Sequence, residues 1–425
     1  MTGNAIKLES IMLRRLVPVI LAAVLAACGR AEPDDGKVHV RYLASPDVGG
    51  FSKVIIDRFE RANPGIKVDM IEGPSSGDAR ENMYSTAFMA KDDAYDLAYV
   101  DVAWLPKFAA QGWLRPLDDL LPPDKAAVFL PGDLEGSRYQ GRLYRVPIQS
   151  DGGMLYYRKD LLAAKGIPVP RTWAELVAAA RKTQTADITG FVFQGKQYEG
   201  LVCAVLEVVW GFGGDLLTPD GEVRIDRPEA VAALQALVDA IYKDKISPQA
   251  VLTYQEEEAR NVFQEGRAVF MRNWPYAWNL MQKEGSPVRG KVGIVPMVSG
   301  PGGRSAATLG GWGFALSAYS RHPEEAYKLA EFFASVESQK LAFLQGGILP
   351  TRKALYADPA VLAAAPHMKD LGRVLATARP RPVHPRWPRM SDALQLHVSA
   401  ALSRQETPEE ALQAAAVEIR AAAAR

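Results

Sequence analysis

The chain is poor in the residues from which metal centres and disulfide scaffolds are built. Across 425 residues it has 2 cysteines, Cys28 and Cys203, and 5 histidines, scattered at His39, His322, His367, His384 and His397. Neither a zinc-type cluster nor a disulfide framework can be assembled from groups so few and so far apart, and no cofactor or metal is expected. An excess of one charge is lacking too, since 50 Lys+Arg face 49 Asp+Glu for a formal net charge of +1. Without a broad positive field nothing holds a phosphate backbone, so nucleic acid is set aside as a partner. Beyond residue 28 there is no long apolar run. The run before it, residues 16–27, is twelve residues long, whereas a hydrocarbon core takes about 20. What is present, 48% hydrophobic and 23% charged residues, is ordinary for a globular chain, and at roughly 150 residues per domain the length suits two or three domains.

Arg14 and Arg15, the apolar run and the small residues ahead of Cys28 describe an export signal over residues 1–27. Leu25, Ala26, Ala27 and Cys28 resemble a bacterial lipobox, which implies an acylated Cys28 and lipid anchoring at a periplasmic or cell-surface face. An ordinary signal with a chance cysteine is the plainer alternative. Residues 28–36 are polar and rich in breakers, as a tether should be. Cys203 lies in an apolar stretch, 201–206, and reads as a buried thiol packing as a small hydrophobe.

Residues 38–43 alternate as a strand does, 52–62 carry a helical apolar spacing, and 66–71 alternate again. A helix over 78–89 and a strand over 97–100, ending at Asp101, complete a β-α-β-α-β order that implies an open parallel sheet. Ligands in such sheets sit beyond the carboxyl ends of the strands, which is where Asp101 is placed. A second α/β lobe is expected from about Gln149. It contains a helix opened by a capping box at Thr172 and Glu175, a strand over 190–194, a helix over 228–243 and strands over 268–271 and 292–296. Residues 408–425 are alanine-rich and helix-forming, expected to pack on the surface. The fold class is therefore α/β with two lobes and a cleft between them.

Three clusters stand out from this pattern. Asp101 and Asp151 are carboxylates at strand ends, able to accept short hydrogen bonds from hydroxyl donors or, more plainly, to cap the next turn. Trp274, Tyr276 and Trp312 are aromatic residues in polar, Gly/Pro-rich surroundings, and flat rings suit the C–H face of a pyranose. Trp104, Trp113, Trp173 and Trp210 are assigned to the core. Arg379 and Arg381 alternate with prolines, a stiff way to present a guanidinium, although a solvated loop explains them as well. Aspartates, rings and a held arginine together favour a neutral polyhydroxylated ligand.

Six stretches in order, DVAWL (101–105), LYYRKDL (155–161), QGKQYEGLVC (194–203), RNWPYAW (272–278), SAATLGGW (305–312) and RPRP (379–382), resemble the extracellular solute-binding proteins (family 1) of carbohydrate ABC importers, in the cluster that binds trehalose and maltose. The resemblance implies a two-lobe periplasmic-binding-protein fold, each lobe a mainly parallel sheet flanked by helices and the two joined by a hinge. Residues 37–148 and 276–316 would form the N-terminal lobe, and 149–275 and 317–425 the C-terminal lobe. It implies a monomeric, non-enzymatic receptor that closes on an α-glucosidic disaccharide and delivers it to membrane permease subunits.

Position by position, Asp101 and Asp151 would meet sugar hydroxyls, Trp274, Tyr276 and Trp312 would frame the rings, Gly311 would offer backbone, and Arg381 would donate hydrogen bonds. Ser76 and Arg80 fall near a first-lobe contact loop, Asp47 in the loop after the first strand, and Glu256 at an acidic helix start. Gln149 stands where relatives often carry a tyrosine, exchanging a stacking ring for an amide. Other ligands remain open, namely a glucosylated osmolyte, sucrose or a maltodextrin. So does an exported carbohydrate-active enzyme using Asp101 and Asp151 as a carboxylate pair.

Overall fold

A computed structural model describes residues 35–47, 49–218 and 220–424. The export signal, Cys28 and all but the end of the tether lie outside the described residues. The chain begins as the alternation implies, with β1 (Val38–Ala44), α1 (Phe51–Ala62), β2 (Ile66–Glu72), α2 (Gly77–Met89) and β3 (Leu97–Asp101). Helix α1 turns Ile55, Ile56 and Phe59 inward and ends at Asn63, beside the Pro64–Gly65 breaker. There follow β4 (Val146–Gly152), β5 (Met154–Arg158), α3 (Trp173–Thr183), β6 (Thr189–Val192), α4 (Glu199–Gly211), α5 (Pro228–Tyr242), α6 (Glu256–Gln264), β7 (Ala268–Asn273), β8 (Val292–Val295) and β9 (Ala307–Leu316). The chain closes with α7 (Pro323–Phe333), α8 (Val336–Gly346), β10 (Ala378–Pro380), α9 (Trp387–Leu402) and α10 (Pro408–Ala423). The capping box at Thr172 and Glu175 is formed, each side chain bonded to the other residue's backbone N–H.

Two sheets organise these elements. The first runs β10–β9–β3–β1–β2, with β4 also paired to β9, and the second runs β8–β5–β7–β6. The expected parallel character is found where β1 lies between β2 and β3. Strand β9 instead runs against both β3 and β4, and β5 runs against both β7 and β8, so each sheet is mixed. The reason is connectivity: β9 comes back from the second lobe and enters the first sheet from the opposite end.

The chain crosses between lobes more often than expected. Strand β4 belongs wholly to the first sheet and β5 to the second, so the first crossover lies at Gly152–Gly153 and not at Gln149. Residues 276–316, expected in one lobe, are divided: β8 pairs in the second sheet and β9 in the first. Helices α7 and α8, expected in the C-terminal lobe, pack Ala326, Leu329, Phe333 and Ala342 into the same core as Val40, Tyr42 and Ile55 of the first lobe. Their apolar faces match that sheet surface, whatever their place in the sequence. Helices α9 and α10 do join the second lobe, packing on α5, and α10 buries Leu412, Ala415 and Ile419.

Helix α4 was not legible as a helix. It is apolar on nearly every side and is buried from Gly200 to Gly211, as such a helix must be. Cys203 sits within it, 2% exposed, and burial pushes its thiol well above the ordinary range, in keeping with an inert packing role.

Candidate functional site

Strand register assembles the site. Trp312 of β9 lies opposite Asp101 of β3 on one side and Gln149 of β4 on the other, with Gly310 opposite Asp151. Because side chains alternate along a strand, Gln149 and Asp151 share one face. That face forms the floor of a cavity of about 330 Å³, within the range usual for small-ligand pockets. Of the expected residues, Asp47, Arg80, Asp101, Gln149, Asp151, Glu256, Trp274, Tyr276, Gly311, Trp312 and Arg381 all line it. Ser76 does not. Its hydroxyl accepts from the Ala79 N–H at 3.4 Å and caps α2, as serine at that position readily does.

The aromatic platform is held from behind. Trp312 stacks on Tyr99 with ring centroids 5.2 Å apart, meets Trp104 edge-on at 5.1 Å, and carries the Arg80 guanidinium 4.9 Å from its centroid. Arg80 is itself fixed by bonds to the Pro74 and Ser75 carbonyls. Across the cleft the Arg272 guanidinium lies 4.0 Å from the Trp274 centroid, while the Trp274 indole N–H donates to Glu256 Oε1 at 3.3 Å. Tyr276 donates to Glu257 Oε1 at 2.5 Å. Glu256 is therefore an indole acceptor on the cavity wall as well as an acidic helix start.

Gly311 has φ +139°, and a side chain there would press on the Gln149 carbonyl. Its own carbonyl accepts from Val102 N and from the buried Arg145, each at 3.0 Å, which fixes the backbone beside Trp312.

The carboxylates are held by different partners. Asp101 Oδ1 accepts from Ala103 N at 2.8 Å and from Arg381 Nη2 at 2.7 Å, so the turn-capping and functional readings hold together. Arg381 follows β10 and also donates through Nη1 to Glu199 Oε1 at 2.6 Å, leaving its Nε without a partner. Glu199 opens α4 in the second lobe and gathers Trp387 Nε1 at 3.0 Å and the Ser391 hydroxyl. Arg381 thus joins a first-lobe carboxylate to a second-lobe one. Asp47 uses Oδ2 to cap α1 through Ser52 N and Lys53 N, while its Oδ1 is buried without a partner.

Asp151 accepts from Gln149 Nε2 at 2.5 Å through Oδ2, and its Oδ1 is buried and unsatisfied. Burial pushes its carboxyl from 3.8 up to about 8; the Gln149 bond opposes the rise and the nearby Asp133 and Asp101 add to it. Among the described residues no group of His, Cys, Asp and Glu is arranged to hold a metal ion.

Tyr99, Trp104, Tyr198 and Glu199 also line the cavity and were not singled out from the sequence. Tyr99 carried a usable signal, since it precedes Asp101 by two residues and shares its strand face. Trp104 was assigned to the core, where it is indeed buried, and it reaches the cavity as well. Glu199 carried no signal, because its partners lie more than 180 residues away.

The family of bacterial extracellular solute-binding proteins matches residues 45–340 of this chain. A Deinococcus radiodurans protein named "Probable ABC transporter-binding protein" is 39% identical over 359 residues, 82% of this chain and 84% of that protein. Among solved structures, the maltose-bound MalE3 of T. maritima superposes with a TM-score of 0.87 at 45% identity, covering 90% of this chain and 99% of the other. The GacH receptor of Streptomyces glaucescens, solved unliganded and with acarbose, superposes with a TM-score of 0.82 at 25% identity, covering 91% and 99%.

Proposed function

The chain belongs to the bacterial extracellular solute-binding proteins, and on that premise we propose that it captures an α-glucosidic disaccharide, maltose or trehalose, by closing its cleft around it. Its role is that of a sugar-binding protein of an ABC transporter, working outside the cytoplasmic membrane with permease subunits as partners. It belongs to a binding family and is not an enzyme, so Asp101 and Asp151 are not a hydrolytic pair.

One observation carries the ligand reading: an unsatisfied carboxyl oxygen, Asp151 Oδ1, in a cavity walled by Trp274, Tyr276 and Trp312. Rings accept the C–H face of a sugar, and a buried oxygen without a partner is costly until a hydroxyl meets it. Asp101 Oδ2, outside the bonds to Arg381 and Ala103, is a second acceptor for an adjacent hydroxyl. Maltose on a 45%-identical neighbour supports the same class of ligand. Closure then follows from differential affinity, since a sugar touching both lobes favours the state in which both touch it. The lipobox-like residues around Cys28 support a tether through an acylated cysteine.

Calorimetry against maltose, trehalose, sucrose and maltotriose tests the reading. Heat from maltose or trehalose and none from sucrose is the expected result, and silence across the panel would remove it. Thermal melts give a parallel measure, because a ligand at 100 times its dissociation constant stabilises by about 2.7 kcal/mol. Asp151→Ala is expected to fold normally and bind about tenfold or more weakly, the loss of a hydrogen bond to a buried carboxyl oxygen that has no other partner. An unchanged affinity would take Asp151 out of the site.

A further inference from the structure

We propose that Gln149 is a positioning residue for Asp151, the middle of a relay from Tyr99 that decides which carboxyl oxygen is left for the ligand. The relay is short and anchored at its far end. Tyr99 OH donates to Gln149 Oε1 at 3.1 Å, and Gln149 Nε2 donates to Asp151 Oδ2 at 2.5 Å. Tyr99 cannot swing away, because its ring is stacked on Trp312 with an interplanar angle of 19° and its backbone N–H is bonded to the Tyr84 hydroxyl at 3.0 Å. Each end of the Gln149 amide is therefore spent on the protein before a ligand arrives.

The direction of the relay has a chemical consequence. An amide NH2 can only donate, so Oδ2 is held as an acceptor and any proton on the Asp151 carboxyl resides on Oδ1. Oδ1 is the atom without a protein partner. It can donate when the carboxyl is neutral and accept when it is ionised, so a sugar hydroxyl is met in either state. The titratable and charged groups that bear on Asp151 include Asp133, Asp101 and Arg272, with Tyr99, Tyr156 and Tyr356 facing it as well. A side chain without an N–H or O–H at position 149 would leave both carboxyl oxygens undirected.

The binding arm of the test rests on the sugar-capture reading, and the titration arm does not. In the first arm, protein carrying 13C-labelled aspartate is titrated without ligand, the Asp151 signal being identified by its loss in Asp151→Asn. Gln149→Met keeps the side-chain length and removes the donor, and the Asp151 midpoint is expected to rise. Tyr99→Phe, which only loosens the amide, is expected to raise it less and serves if the first variant does not fold. An unmoved midpoint in the folded variant overturns the proposal.

In the second arm, maltose affinity is measured by calorimetry in two backgrounds. Gln149→Met is expected to weaken binding about tenfold in the native background and to have no further effect beside Asp151→Ala. Equal losses in both backgrounds would mean that Gln149 touches the sugar on its own account, and that also overturns the proposal. Should the native protein bind no sugar at all, the function reading fails and the titration alone decides the role of Gln149.

Discussion

Asp151 holds an uncharged carboxyl where a charged one would be expected, and this has a measurable effect on stability. Its pKa is pushed up to about 8 in the folded protein from an ordinary 3.8, so the folded state holds the proton far more tightly than the unfolded chain does. Stability is then greatest below about pH 4 as far as this group is concerned, and declines as the pH rises toward 8, where the folded carboxyl must ionise in a buried place. Asp133 and Asp78, each pushed up to about 7 mainly by burial, slope the same way. Asp151→Asn should therefore melt closer to its own pH 5 value at pH 8 than the native protein does, and a melting curve at each pH measures the narrowing. An unchanged gap would place the ionisation elsewhere. The same residue illustrates what the sequence could convey at this scale. The aspartates, tryptophans and Gly311 stood out because charge, rings and glycine are visible in one dimension. The bond from Arg381 to Glu199 was invisible, because it joins residues 182 positions apart.

Elements were legible where their period was clean. Strands β1 to β3 and helices α1 and α2 fall within a residue or two of their expected bounds. Two elements were not, for different reasons. Helix α4 lacks a polar face, and a continuous apolar run does not distinguish a helix from a buried strand. Strand β9 contains Gly310, Gly311 and Gly313, which break any alternation, yet it is held by β3 on one side and β4 on the other. Tertiary pairing overrides its weak propensity.

The turn from β4 to β5 shows how tightly such junctions are fitted. A Cβ on Gly153 would land within van der Waals distance of Glu207 Oε1 and Arg272 Nη2. These two form an ion pair with side chains 0% and 1% exposed, and Glu207 Oε1 also accepts from Thr308 N at 3.1 Å. Gly153→Ala should accordingly force the pair apart. Uncoupling a buried ion pair costs about 3–5 kcal/mol, which denaturant titration would register; a loss below about 1 kcal/mol would show that the junction relaxes freely.

At the level of the whole molecule, the two lobes are coupled through their polar groups as well as through the chain. Arg381 bridges Asp101 and Glu199, and Thr308 of β9 is tied to Glu207 of the second-lobe helix α4. One further bond joins them. The first N–H groups of α4 receive no side-chain cap from Tyr198, and it is Asp78, from α2 in the first lobe, whose Oδ2 accepts from Glu199 N at 3.1 Å. An opening motion that parted Asp78 from Glu199 would take this cap away, at about 1 kcal/mol. The unloaded receptor should on this account rest partly shut, and Asp78→Ala should widen its radius of gyration in sugar-free X-ray scattering while leaving the loaded form alone. Identical empty-state curves would acquit the cap. A trap that leans toward shutting gives up some grip-strength difference between full and empty, and its transporter must tell the two apart by something finer than open or closed.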